Sequence, residues 1–280
     1  MNLTVAGRDA YVYTGGKAPT ADQPTAVFIH GAQHDHSVWI MQTRYFAHHG
    51  FNVLAVDLPG HARSAPPALT SVAALADWLI SLLDAAGVAR AVLIGHSMGS
   101  LIALEAAARY PARVSALALV ATAFPMQVSA ALLDAAQHRL PEAIDMINTW
   151  SHSTIAAKPS FPGPGFWMQG GNQRLMERVG ALNPEPVLFT DFSACNAYDR
   201  GFEAAKQVRC PVLFVLGKRD LMTPARAAQP LAQALGEAGA TVAAVTTVLL
   251  DGGHALMAER PDETLDALYG FARKASVELV

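Results

Sequence analysis

Apolar residues along the chain fall into two kinds of run that alternate. Short continuous or β-branched runs read as strands: Ala26 to His30, Asn52 to Val56, Ala91 to Ile94, Val114 to Ala121, Cys210 to Leu216 and Thr241 to Leu250. Continuous apolar character is what a parallel sheet buried on both faces demands. Longer stretches carry apolar residues at helical spacing: Ser37 to Gly50, Ser71 to Ala86 closed by Gly87, Pro224 to Leu235 and Asp262 to Lys274. Leu3-Thr4-Val5 and Ala10 to Thr14, broken by Gly7-Arg8-Asp9, predict a leading hairpin. From Thr122 to about Lys206 the alternation stops. Helices are expected over 126–139, 141–150 and 173–180, with an irregular Pro- and Gly-rich stretch from Lys158 to Trp167. The pattern predicts one α/β domain, a doubly wound mostly parallel sheet formed by residues 1–121 and 207–280. It is split after its sixth strand by a helical insertion over residues 122–206.

Composition narrows the function classes. The 280 residues are 52% hydrophobic and 15% charged, which implies a large buried core. The net charge of −3 and the lack of a basic stretch argue against a nucleic-acid partner. The apolar run Val242 to Leu250 is about half the ~20 residues that span a bilayer, so no membrane partner is expected. The N-terminus, Met1-Asn2-Leu3-Thr4-Val5, lacks a basic region and an apolar signal core. Cys195 and Cys210 form neither a disulfide framework nor a metal-spacing motif. A reducing, cytoplasmic setting is the default, with no cofactor and no metal. The oligomeric state is left open.

The stretch most suggestive of chemistry is Gly95-His96-Ser97-Met98-Gly99. An apolar strand leads into it and an alanine-rich helix, Ser100 to Arg109, leads out. G-x-S-x-G in that setting reads as a nucleophile elbow, a serine on a tight strand-to-helix turn. Gly95 and Gly99 let strand and helix approach closely. The helix start aims backbone N–H groups at the charge that attack by the serine creates. A serine nucleophile needs a base, and the base an orienting carboxylate. Both are expected in loops beyond the C-terminal ends of later strands, where parallel sheets form sites. Asp220 follows the strand ending at Leu216, and His254 the strand ending at Leu250.

Together these stretches resemble the α/β-hydrolase superfamily, in its serine hydrolases with a helical cap. The resemblance rests on His30-Gly31, Asp57-Leu58-Pro59-Gly60-His61-Ala62-Arg63-Ser64, Gly95 to Gly99, Gly217 to Asp220, and Gly252-Gly253-His254 followed by Glu259-Arg260-Pro261. It implies an α/β-hydrolase fold with residues 122–206 as the cap. It also implies Ser97 as nucleophile, His254 as base and Asp220 as acid, with the backbone N–H groups of Ala32 and Met98 as oxyanion hole. Ala62 departs from the second glycine often found there. The expected activity is esterase- or lactonase-like: hydrolysis of a carboxylic ester, lactone or thioester of a small to medium apolar substrate through an acyl-enzyme. A C–C hydrolase of the meta-cleavage type and a hydrolase-fold ligand receptor are the alternatives. Ala255-Leu256-Met257 after the histidine weigh against the first of these, which commonly places a tryptophan there.

Other residues carry weaker expectations. Trp150, Phe166, Trp167 and Met168 are candidates for an apolar substrate wall, although at helical spacing such residues are often core. Arg174, Asn172 and His152 are candidates to orient a polar group of the substrate. Asp251 is the second choice as orienter, and Asp57 more plausibly starts the turn to Gly60. His34 and His36 have a metal-like His-x-His spacing without further ligands. His30 and His96 read as structural, and His48 and His49 as helix-ending residues.

Overall fold

The structure is a computed structural model that describes residues 1–153, 167–237 and 244–277. Its strands and helices follow the two kinds of run. β1 (Asn2–Val5) and β2 (Arg8–Tyr13) form the leading hairpin, and β3 (Thr25–Ile29) opens the parallel part. α1 (Ile40–His48) leads to β4 (Asn52–Val56), and α2 (Val72–Ala85) to β5 (Ala91–His96). α3 (Met98–Arg109) leads to β6 (Val114–Val120). Five helices follow: α4 (Ala130–His138), α5 (Leu140–Ser151), α6 (Met168–Ala181), α7 (Val187–Ala197) and α8 (Gly201–Gln207). The alternation resumes with β7 (Val212–Gly217), α9 (Ala225–Glu237), β8 (Val245–Leu250), α10 (Leu256–Glu259) and α11 (Pro261–Val277).

The eight strands form one sheet in the order β1-β2-β4-β3-β5-β6-β7-β8. Only β1–β2 and β2–β4 pair antiparallel; β4 through β8 are parallel. Alternate residues of each strand feed opposite faces. Val27, Ile29, Leu93, Leu117 and Phe214 pack with α2, α3 and α9, while Phe28, Ile94, Ala118 and Val215 pack with α1 and α11. A third cluster joins α4 to α7 through Leu132, Ile144, Ile147, Met176, Leu188 and Phe192, and meets the sheet region at Ala32. No described helix is long and apolar enough to cross a membrane.

The differences from the sequence pattern are local. The helical stretch expected from Ser37 opens with a turn over His36–Trp39 that Asp35 caps; its Oδ1 accepts the Ser37 N–H at 2.8 Å. α6 begins five residues earlier than periodicity suggests, and the start of the predicted strand from Thr241 lies outside the described residues. α7 is not among the helices expected from the sequence, although Leu188, Phe192 and Cys195 on its inward face stand at i, i+4 and i+7; Asp191 is buried on the same face.

Candidate active site

The loops at the C-terminal ends of β3, β5, β7 and β8 converge on one point. Ser97 follows β5 directly, with φ 53° and ψ −120°, and α3 starts at the next residue. A non-glycine residue in that region costs about 1–3 kcal/mol and persists only where its surroundings impose it. The surroundings do. A Cβ on Gly95 would lie 2.1 Å from the Gly99 carbonyl oxygen, and one on Gly99 would lie 2.4 Å from that of Ile29. The Ser97 N–H donates to Val120 O at 2.9 Å.

Asp220 and His254 meet in the adjoining loops. His254 Nδ1–H donates to Asp220 Oδ2 at 2.8 Å, both residues being buried. The other carboxylate oxygen, Oδ1, accepts the N–H groups of Met222 and Thr223, each at 2.8 Å. One oxygen thus builds an Asx-turn and the other orients the imidazole. Thr223 adds a hydroxyl 2.7 Å from Oδ2 and 3.0 Å from His254 Nδ1, a contribution the sequence reading missed. The Asp-x-x-Thr spacing after a strand was the available signal.

The His254 loop is gripped from two sides. Ser151 O, at the end of α5, accepts the N–H groups of His254 at 2.7 Å and Ala255 at 3.1 Å. Glu259 accepts the Gly253 N–H at 3.1 Å and the Ser153 hydroxyl at 2.5 Å. From β5, His96 Nε2–H donates to His254 O at 3.0 Å. Burial, with the neighbouring imidazoles of His254 and His34, holds the His96 pKa well below its ordinary value, so this ring is neutral. Its Nδ1 is buried without a partner among the described residues.

The loop after β3 is fixed peptide by peptide. His30 Nδ1–H donates to Gly31 O at 2.8 Å, while His30 Nε2 accepts the Leu58 N–H at 3.1 Å, which sets its tautomer. Since the peptide is trans, holding the Gly31 carbonyl aims the Ala32 N–H the opposite way. His34 Nδ1–H holds the Ala32 carbonyl at 2.7 Å. Among the described residues, neither Ala32 N–H nor Met98 N–H donates to a protein acceptor.

Two cavities adjoin Ser97. One, of about 360 Å³, is lined by Ser97, Ala32, Met126, Leu132, Trp150 and Phe192, with Leu221 exposed at its rim. The other, of about 20 Å³, lies between Ser97, His254, Ala32 and His96. It has room for about one water molecule.

The remaining sequence candidates lie elsewhere. Of the proposed apolar wall, Trp150 lines the larger cavity. Trp167 is 54% exposed, its ring close to Gly170; Met168 is half-buried, and neither lines the two cavities. Phe166 lies outside the described residues. Arg174 is exposed and pairs with Glu177. Asn172 bridges His34 and Asn148, and His152 is buried against Asn148 O. Asp251 forms a surface pair with Arg219 at 2.8 Å, whose hydrogen bond lowers its pKa, and takes no part in orienting His254. Asp57 accepts the N–H groups of His36 and Arg63 and organises its own turn. Ligand-type atoms of Asp35, His36 and Asp57 lie within 4.8 Å of one another, but hydrogen bonds within the protein engage them. His34, the other histidine of the metal-like pair, turns to Ala32 O and Asn172 instead.

Comparison with known proteins follows the same geometry. The profile described as "Alpha/beta hydrolase family" matches residues 26–267. Among curated sequences the chain is similar to "Putative carbamate hydrolase RutD" of Escherichia coli O6:H1. The two are 28% identical over 262 residues, covering 89% of this chain and 88% of the relative. Among solved structures it is similar to the enol-lactonase from Burkholderia xenovorans LB400. The TM-score is 0.81 at 22% identity, covering 97% and 99% of the two chains. It is also similar to an esterase from Exiguobacterium antarcticum, with TM-score 0.80 at 16% identity, covering 98% and 99%. At such identities the two structures share the fold alone.

Proposed function

The chain belongs to the alpha/beta hydrolase family, and on that premise we propose that it is a serine hydrolase acting through an acyl-enzyme. Its substrate is a carboxylic ester, lactone or thioester with a small to medium apolar part. The observation that carries the reading is the 2.8 Å contact of His254 Nδ1 with Asp220, with His254 and the strained Ser97 lining one small cavity. The similar curated sequence is named as a putative carbamate hydrolase, which supports hydrolysis as the reaction class.

His254 Nε2 takes the Ser97 proton as the oxygen attacks the carbonyl carbon. Asp220 holds the Nδ1–H tautomer and stabilises the imidazolium that forms. The Ala32 and Met98 N–H groups receive the oxyanion; losing one such donor typically costs about 3 kcal/mol of transition-state stabilisation. The protonated His254 gives its proton to the leaving group. It then activates a water, for which the smaller cavity has room, to release the acid. The apolar part of the substrate lies against Leu132, Trp150 and Phe192.

The test is turnover of p-nitrophenyl esters from acetate to octanoate by wild type beside Ser97→Ala. Serine-dependent turnover with a chain-length optimum supports the reading. Faster consumption of a vinylogous diketone than of any ester moves the assignment to C–C hydrolysis. Phosphonate labelling of Ser97 without turnover of either moves it to a receptor.

A further inference from the structure

Beside the reacting groups lies a buried charge pair that the chemistry above does not use. His61, in the loop after β4, and Asp191, on α7, are each 1% exposed and face each other at 2.9 Å through Nε2 and Oδ2. The other ring nitrogen, Nδ1, lies 3.0 Å from Pro59 O. Both nitrogens face acceptors only, so both carry protons and His61 is an imidazolium. Its neighbour His30, 4.9 Å away ring to ring, is neutral, because its Nε2 accepts an N–H.

The same carboxylate oxygen also accepts the Gln33 N–H, at 2.8 Å. Gln33 follows Ala32 and has φ 49°, a left-handed conformation that needs outside support. Its side chain donates to Met176 O on α6 at 3.0 Å. Nearby, Asn183 Nδ2 donates to Gly60 O at 2.6 Å. The loop carrying the Ala32 N–H is therefore fixed from one side by its own histidines and from the other by α6 and α7.

We propose that Asp191 is a positioning residue: paired with the His61 cation, it holds the Gln33 N–H and so fixes the Ala32 peptide in its oxyanion-binding orientation. The inference rests on the serine-hydrolase reading and extends it, because a group 158 positions away in sequence from Gln33 sets the geometry of a donor. Hydrogen-bond counting gives a pH dependence. When His61 loses its charge it keeps the Nε2–H facing the carboxylate and gives up the Nδ1–H facing Pro59 O, so the Asp191 contact falls from a charge pair to a weaker hydrogen bond and the Pro59 contact becomes repulsive. The charged and titratable groups facing His61 are Asp57 on its own loop, His30 on the β3 loop and Asp191 on α7. Burial pulls the His61 pKa down, but the Asp191 charge and hydrogen bond, with Pro59 O and Asp57, more than offset it and leave it raised. The pair's stabilisation is therefore complete below the ordinary histidine value of about 6.5 and is lost as pH rises through the higher folded-state value.

The experiment compares wild type, Asp191→Ala, Asp191→Asn and His61→Gln in kcat, KM, pH profile and melting, with p-nitrophenyl ester as substrate. Asp191→Ala removes the acceptor, and kcat should fall about 10- to 100-fold, the scale of a misplaced catalytic group, with KM little changed. With its amide oxygen in the place of Oδ2, Asp191→Asn still accepts the Gln33 N–H and also accepts the Nε2–H of a neutral His61. It should recover most of kcat and lose the alkaline fall of the wild-type profile. His61→Gln should lose that fall as well. A purely structural role would lower the melting temperature without moving kcat or the alkaline limb, and that outcome overturns the proposal. If Asp191→Ala does not fold, the Asp191→Asn profile decides: an unchanged alkaline limb is fatal. A single ring N–H for His61 in a 15N spectrum of the wild type at pH 6 is fatal too. Phosphonate labelling separates the two levels. Labelling at wild-type rate in the Asp191 variants removes only the positioning role, whereas a wild type that neither labels at Ser97 nor turns over ester removes the hydrolase reading beneath it.

Discussion

The loops at the C-terminal edge of the sheet and the helices between β6 and β7 are held by different physics. The loops after β5 and β7 start from strands whose residues are all buried, so their first residues have little freedom, while the His254 loop leaves β8, a half-exposed edge strand. The helices α4 to α7 have an apolar cluster of their own, but they reach those loops largely through polar contacts. Ser151 O takes two N–H groups of the His254 loop, Asp191 takes the Gln33 N–H, and Gln33 reaches Met176 O. Apolar packing tolerates small displacements, whereas a hydrogen bond sets an angle as well as a distance. The difference teaches that the sheet brings the proposed reacting groups to one place, and the helices between β6 and β7 set how they point.

Variants can break this contrast at several strengths. The largest effect belongs to the edge itself: Ser97→Ala or His254→Ala should each lower kcat by about 10⁴-fold or more, with melting unchanged, in a p-nitrophenyl ester assay. Thr223→Val removes one donor to Asp220 and leaves the backbone donors in place. It should lower kcat roughly 10-fold with KM unaltered, the mark of an imidazole held less well. Glu259→Gln weakens the join between the His254 loop and Ser153. It should cost about 1–3 kcal/mol in thermal unfolding, as expected for buried donors left poorly paired, with only a few-fold loss of kcat. Arg219→Ala removes the surface pair with Asp251 and should change stability by less than about 1 kcal/mol. It should leave kcat alone; a large fall there would reopen Asp251 as the orienting carboxylate.

What the sequence makes legible divides along the same line. Strands buried on both faces announce themselves as continuous apolar runs, and a residue just beyond one has few places to go; with the Gly-x-Ser-x-Gly stretch, that points to Ser97 and Asp220, whereas His254 follows β8, whose Thr246, Thr247 and Leu249 are exposed, and is legible from the strand order alone. The holding residues obey no local rule. Asp191 sits on the inward face of α7 beside Leu188, Phe192 and Cys195, and nothing near it in sequence tells that its partners are His61 and Gln33. Ser151 contributes through a carbonyl, which every residue has, and Glu259 reads as an ordinary helix acid until Ser153 is brought beside it. The proposed wall residues were chosen by type. Type did not distinguish Trp150, which lines the larger cavity, from Trp167, which is mostly exposed.

Backbone handedness has a consequence for engineering this chain. Four non-glycine residues with positive φ, Gln33, Ala62, Ser97 and Ala121, each lie beyond the end of a neighbouring parallel strand, β3, β4, β5 or β6. Ala62 stands where the resemblance leads one to expect a glycine, and its φ of 44° is one that glycine adopts without strain. A programme aimed at heat tolerance therefore has a short list that needs no new contact. Glycine at Ala62 relaxes the backbone without touching Ser97, Asp220 or His254, whereas at Ala121 it works one hydrogen bond from Asp220 through Thr223, and at Ser97 it erases the proposed nucleophile. Robustness and chemistry compete for one rim of the sheet, and only some of its positions can be spared for the former.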